Sequence, residues 1–391
     1  MTVTEHLGVA THTGSRRSRA LRFVAVPAVL SVVVVVLSAL LSTGPGSLVS
    51  TLSVALINLT MVVGLYIFVG NSGIHSFGHL SFASVGGFTA AILVMPLDLK
   101  TRMFPDAPAL TWFALDPFPA VLVGGLVAAV FGFLVVLPLS RINGLSAGLA
   151  TVSILIAVNV IASNWDSVTR GRRGISSIPS STTVTTAVLW AIAAIWAAWL
   201  FQRSPFGKRL RASKSDEVAA QAAGVSIARE RIIAFTLSAF FTGIGGGLFA
   251  LLLGSVTPGT FYLDYTFVII AMLVIGGTDS LTGAVTGAVV VSVLSEVLRK
   301  AEAGDVLGLF EITPRPGLQY VVLGIIMVLI LLLRPAGLTR GRELTEWFTR
   351  RRRKIPPTGG SPIAAGPTDP PGPVPPANPG TTDTSLVKES R

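Results

Sequence analysis

Runs of about twenty residues with almost no charge recur along this chain, and a helix of that length crosses the hydrocarbon of a bilayer. They extend from Phe23 to Leu41, Leu48 to Val69, Leu80 to Val94, Ala120 to Leu139 and Leu145 to Ser163. Further runs cover Val184 to Phe201, Ile232 to Leu253, Tyr265 to Ile275, Leu281 to Leu298 and Leu318 to Leu333; those at Leu80 and Tyr265 are short. In hydrocarbon every backbone N–H and C=O must be bonded within the protein, which leaves helices or a closed barrel. A barrel would show short alternating segments, and none appear. Only 13% of the residues are charged, against about 25% in soluble domains. The sequence predicts an all-α polytopic membrane protein with about ten transmembrane helices.

Charge gives the orientation. Arg16, Arg17, Arg19 and Arg22 precede the first run, and Arg334, Arg340, Arg342 and the stretch Arg350 to Lys354 follow the last. Between them, Arg203, Lys208, Arg209, Arg211, Lys214, Arg229 and Arg231 surround residues 204–231. An even number of crossings puts these clusters on one face, and the positive-inside rule makes that face cytoplasmic, with both termini. Arg170, Arg172 and Arg173 fall on the other face and go against the rule. The net charge of +11 is thus a matter of topology; no basic patch interleaved with exposed aromatics points to nucleic acid. A signal peptide shares the charge order of the N-terminus, but Phe23 to Leu41 is longer than a typical signal core and no A-x-A follows it. The expected organisation is a cytoplasmic segment 1–20, a transmembrane domain 21–340 with a cytoplasmic loop 204–231, and a basic then Pro-rich disordered tail 341–391.

Several chemistries are excluded. There is no cysteine, no G-x-x-x-x-G-K-[ST] phosphate loop and no H-E-x-x-H. His75 and His79 have the spacing of ligands on one helix face, yet no carboxylate accompanies them, so a hydrogen-bonded place at a helix end is expected. No catalytic residue, metal site or cofactor is assigned. Ion-coupled carriers bury ionisable groups in their spans. Here the spans hold Asn58 and Asn159, while Asp264, Asp279 and Glu296 sit near segment ends. Energy is therefore expected from a partner.

Two features call for a function. Residues 70–87 and 276–287, in opposite halves of the chain, interrupt apolar runs with Gly, Ser and Thr. Paired interruptions are the best sequence pointer to a midplane pathway, with Ser76, Gly78, His79, Gly277, Thr278 and Ser280 along it; otherwise they are short loops between helices. The second feature is the island 204–231, whose centre reads as a short docking helix. Ser213 or Ser215 is placed to cap it, Asp216 and Glu217 to occupy its first turn, and Gly224 to end it. Ala219, Ala220 and Ala223 keep its surface small enough for a partner's backbone.

The sequence from Glu217 to Gly224, EVAAQAAG, resembles the cytoplasmic "EAA" loop of ABC-importer permeases, and SPFGKRLRA before it resembles the version in branched-chain amino acid permeases. Gly73 to Phe82, Asn164 to Gly174, Gly276 to Gly283 and Arg334 to Leu338 resemble further motifs of that family, in the same order. Ile74 stands where Gln is usual, Arg170 and Asp279 where Gly is usual, and Gln221 where Glu is usual. The resemblance implies the longer permease subunit of an importer for branched-chain or other hydrophobic amino acids in the plasma membrane. It also implies a second permease subunit, two cytoplasmic ATPase subunits and an extracytoplasmic substrate-binding protein as partners. Permeases for urea and other small polar solutes share the family. An ATP-independent secondary transporter or a membrane scaffold is the reading from another class.

Overall fold

The computed structural model describes residues 16–105, 111–142, 144–302, 317–334, 337–339, 341 and 343. The described residues form helices α1 (Arg16–Ser42), α2 (Gly46–Ser72), α3 (His79–Val94), α4 (Leu97–Met103), α5 (Pro117–Leu139), α6 (Gly144–Asn164) and α7 (Asp166–Thr169). After these come α8 (Val184–Arg203), α9 (Pro205–Ser215), α10 (Glu217–Ala222), α11 (Ile227–Leu253), α12 (Leu263–Gly276), α13 (Leu281–Glu302) and α14 (Leu318–Leu333). Among the described residues, eight helices are long and apolar enough to cross a membrane. The protein is an all-α, multi-pass membrane protein.

The expected ten crossings are not matched one for one. α3 bends by 118° into α4, so residues 97–103, read from sequence as loop, turn back as a helix. Lys100 holds that bend: it is fully buried and donates to the carbonyls of Phe113 (2.6 Å) and Leu93 (3.4 Å). α14, at 16 residues, rises only about 24 Å, short of the roughly 30 Å of hydrocarbon. The short run at Tyr265 gains length from a 3-10 turn at Pro258–Phe261, started by a Thr257–Thr260 capping box. The tail beyond 343 and the first fifteen residues lie outside the described part.

α11 is the centre of the bundle and packs against α3, α5 and α2. Lipid offers helices no hydrophobic reason to associate, so they gain by close backbone approach through small residues. A Cβ on Gly246 would strike the Ala83 carbonyl, and one on Gly86 would strike that of Gly243. α3 and α11 therefore meet backbone to backbone. The two asparagines inside the spans tie helices together. Asn58 accepts from the Tyr265 hydroxyl, and Asn159 donates to the Pro258 carbonyl at 2.7 Å.

α8 crosses once between the loop 165–183 and the island, which puts these at opposite ends of the bundle. At the loop's end, Ile175 and Val256 exchange backbone hydrogen bonds of 2.8 Å, and Ile178 donates to Gly254 at 3.0 Å.

Candidate functional site

The island folds into two helices rather than one. Ser204 caps α9 by accepting from the Gly207 N–H, and Pro205 follows at the first helical position, where its missing N–H costs nothing. α9 ends at Ser215, and Asp216 is extended, with φ −154° and ψ 111°. Its carboxylate accepts from the Ala219 N–H at 3.0 Å and so caps α10. This corrects the expected cap: Ser213 turns its hydroxyl back to the Leu210 carbonyl, and Ser215 closes the preceding helix. Asp216 takes the role because an extended residue beside the first N–H groups can accept from them, while a helical serine cannot.

α10 ends in a Schellman motif. Gly224 has φ +79° and donates to Gln221 (2.9 Å), and Val225 donates to Ala220 (3.0 Å). Closed at both ends, the short helix has a defined shape. Ala220 is buried, whereas Val218, Ala219, Ala222, Ala223 and Gly224 are exposed, Val218 to 78%. Glu217 is half-buried and pairs with the largely buried Arg231 of α11, which straps α10 to the bundle.

α9 grips the end of α2. Arg211 donates to Asn71 Oδ1 and to the Tyr66 hydroxyl, both at 2.8 Å. The Gln202 amide, with its oxygen toward Arg211 at 2.7 Å and its nitrogen toward Tyr66 at 3.1 Å, completes the cluster. Arg209 reaches buried Glu230 at 3.4 Å. Lys214 donates to Asp279 (2.5 Å) and to the Gly70 carbonyl (3.3 Å). Cations at the C-terminal turn of α2 suit the negative end of its dipole.

The two interruptions come together at this same end. α2 stops at Gly73 in the left-handed region, φ +74°, and the chain turns through Ser76 and Gly78 into α3. A Cβ on Gly70 would stand 2.9 Å from the Thr278 carbonyl, so the 276–280 break lies beside that turn. The six residues proposed for a pathway are mostly packed. His79 is 1% exposed, bonds Ser76 Oγ at 2.6 Å through Nδ1, and sits among Phe68, Phe82 and Phe235. Phe77 donates to Thr151 Oγ1 on α6, and a Cβ on Gly78 would strike the Thr151 carbonyl. Ser280 is fully buried and caps α13 through the Gly283 N–H at 3.0 Å; Thr278 is half-buried, and Gly277 bends the chain with φ +115°. The space beside the turn, lined by Phe68, Ile74, Thr151 and Arg231 among others, is about 10 Å³, room for one water and no solute.

A strap from the C-terminal part completes the break. Leu338 and Thr339 donate their N–H groups to the carbonyls of Ile275 and Gly276 at 2.9 and 3.3 Å. Glu343 accepts from Leu281 N–H (3.0 Å) and from the Thr282 hydroxyl (2.8 Å), at the positive end of α13. The orphan groups on both sides of the break are thus bonded by protein, as irregular backbone near the membrane demands. Sequence reasoning missed Tyr66, Asn71, Gln202, Arg211, Lys214, Arg231 and Glu343. Only Arg211, Lys214 and Arg231 carried a signal, as basic residues flanking the island.

Among the described residues, a capped helix of small exposed residues thus stands at the end of a multi-pass helical bundle where both breaks meet. The sequence profile of the branched-chain amino acid transport system permease component matches residues 47–331, and the chain belongs to that family of ABC-type permeases. It is 26% identical over 330 residues to the high-affinity branched-chain amino acid transport system permease protein LivM of Salmonella typhimurium, and equally to that of Escherichia coli, covering 74% of this chain and 71% of each relative. The ribose import permease protein RbsC of Haemophilus influenzae is 23% identical over 62% of this chain and 74% of its own length. No solved structure matches the chain.

Proposed function

We propose that this chain is the longer permease subunit of an importer for branched-chain or other hydrophobic amino acids, driven by separate ATPases. The observation that carries the reading is α10: a helix closed at both ends, strapped by Glu217–Arg231, offering small side chains outward. A partner's groove can close on such a surface, and a rigid helix passes on displacement. The partners are two cytoplasmic ATPase subunits, a second permease and an extracytoplasmic binding protein. The solute route runs between this chain and the second permease. Ser76, Gly78, His79, Gly277, Thr278 and Ser280 then shape the turns that bound the route. ATP binding moves the bundle only as far as the ATPase pair prefers one state over the other.

The names of the LivM relatives support an amino acid as solute, while the ribose and galactose permeases among the relatives define the competitor. The test is uptake of radiolabelled leucine, isoleucine, valine, urea, ribose and galactose into vesicles holding the full complex. ATP-dependent uptake of the amino acids supports the reading. Uptake of a sugar or urea instead overturns the solute, and uptake that follows an ion gradient without ATP overturns the class. Ala222→Trp is expected to abolish co-purification of the ATPase while the bundle stays folded.

A further inference from the structure

We propose that Lys214 is the positioning residue through which movement of the docking helix reaches the break between α12 and α13. The inference rests on the permease reading and assigns one side chain its part in it.

Three separate pieces of chain meet on this one ammonium. Lys214 belongs to the last turn of α9, donates to the Gly70 carbonyl at the end of α2 (3.3 Å), and pairs with Asp279 in the break (2.5 Å). Its stem crosses Gly73, where a Cβ would stand 2.9 Å from Lys214 Cγ, so the glycine lets the lysine lie flat on the turn after α2. The partners differ in kind. The Gly70 carbonyl belongs to a helix end that favours a cation in any state. Asp279 lies between two helices, and the side chains of the pair are 32% and 55% exposed. Solvent screens such a pair, so it makes and breaks at small cost. Arg211, by contrast, is bonded to the wholly buried Asn71 and Tyr66. α9 thus carries one lasting anchor and one releasable contact.

Both ends of the link are tight. Asp216 alone joins α9 to α10; its N–H bonds to the Ala212 carbonyl at 3.2 Å and its carboxylate caps α10, which leaves no slack. A displacement of α10 therefore arrives at the turn that bears Lys214. Beyond the pair, Asp279 runs directly into Ser280, the cap of α13, and packs beneath Gly341 of the strap.

The experiment uses the assembled complex in vesicles and reads ATPase co-purification, ATP hydrolysed and solute moved. Asp279→Asn and Lys214→Met should keep the ATPase bound and lower solute moved per ATP about two- to fivefold, the range an exposed ion pair can supply. Asp279→Glu should retain most of the coupling. High salt should lower coupling in the unaltered protein and add nothing in Asp279→Asn. Asp279 is exposed, so its variant reports even where Lys214→Met fails to fold. Unchanged coupling in Asp279→Asn, an equal loss in Asp279→Glu, or loss of ATPase binding in Asp279→Asn would each overturn the proposal. Failure of the unaltered chain to bind any ATPase would instead remove the permease reading.

Discussion

Glu343 shows what one carboxylate does at a helix start. It accepts from Leu281 and Thr282 where the first N–H groups of α13 lack a partner within the helix, and such charge-assisted bonds are worth about 1.5–3 kcal/mol each when lost. Glu343→Ala is expected to lower the melting temperature in detergent, with Glu343→Gln falling between it and the parent. Glycines divide by what surrounds them. Gly246→Leu would drive a side chain into the Ala83 carbonyl and cost about 1–3 kcal/mol or more, so little folded protein should be recovered. A Cβ on Gly324 would meet nothing within 4 Å, so Gly324→Leu should be tolerated; comparing yield and melting of the two checks the contrast. A string of glycines in the sequence marks close packing without saying which of them touch. Here a Cβ on Gly246 would meet α3 and one on Gly243 would meet α5, while one on Gly324 would face open space.

At the scale of the element, α10 was legible as a helix from composition: Ala-rich, acidic at the start, glycine at the end. Its capping was not. Ser213, Ser215 and Asp216 all qualify by residue type, and only the backbone turn between α9 and α10 selects Asp216. Val218 is 78% exposed. Val218→Glu is expected to weaken ATPase binding at least tenfold in a pull-down, about 1.4 kcal/mol, while leaving melting unchanged. Arg231→Ala removes the strap from Glu217 and should lower both melting and ATPase binding. These two variants separate the surface that docks from the strap that holds it.

The whole molecule places the docking loop, the end of α2 and both interruptions at one end of the bundle. The Pro-rich stretch 356–391 contains none of the residues in this assembly. Its deletion is expected to leave ATP-dependent uptake within about twofold, measured in the same vesicles.

By itself the sequence determined that this is a helical membrane protein, which family it resembles and that a short helix starts near Glu217 and ends at Gly224. Those conclusions rest on local properties: the length of an apolar run, the placing of charge, a cap at each end of a helix. Tertiary structure decided the rest. That Lys214 meets Asp279, that Glu217 meets Arg231 and that Leu338, Thr339 and Glu343 close the break between α12 and α13 are contacts across many intervening residues. No local pattern encodes them, because each depends on how the helices have already packed.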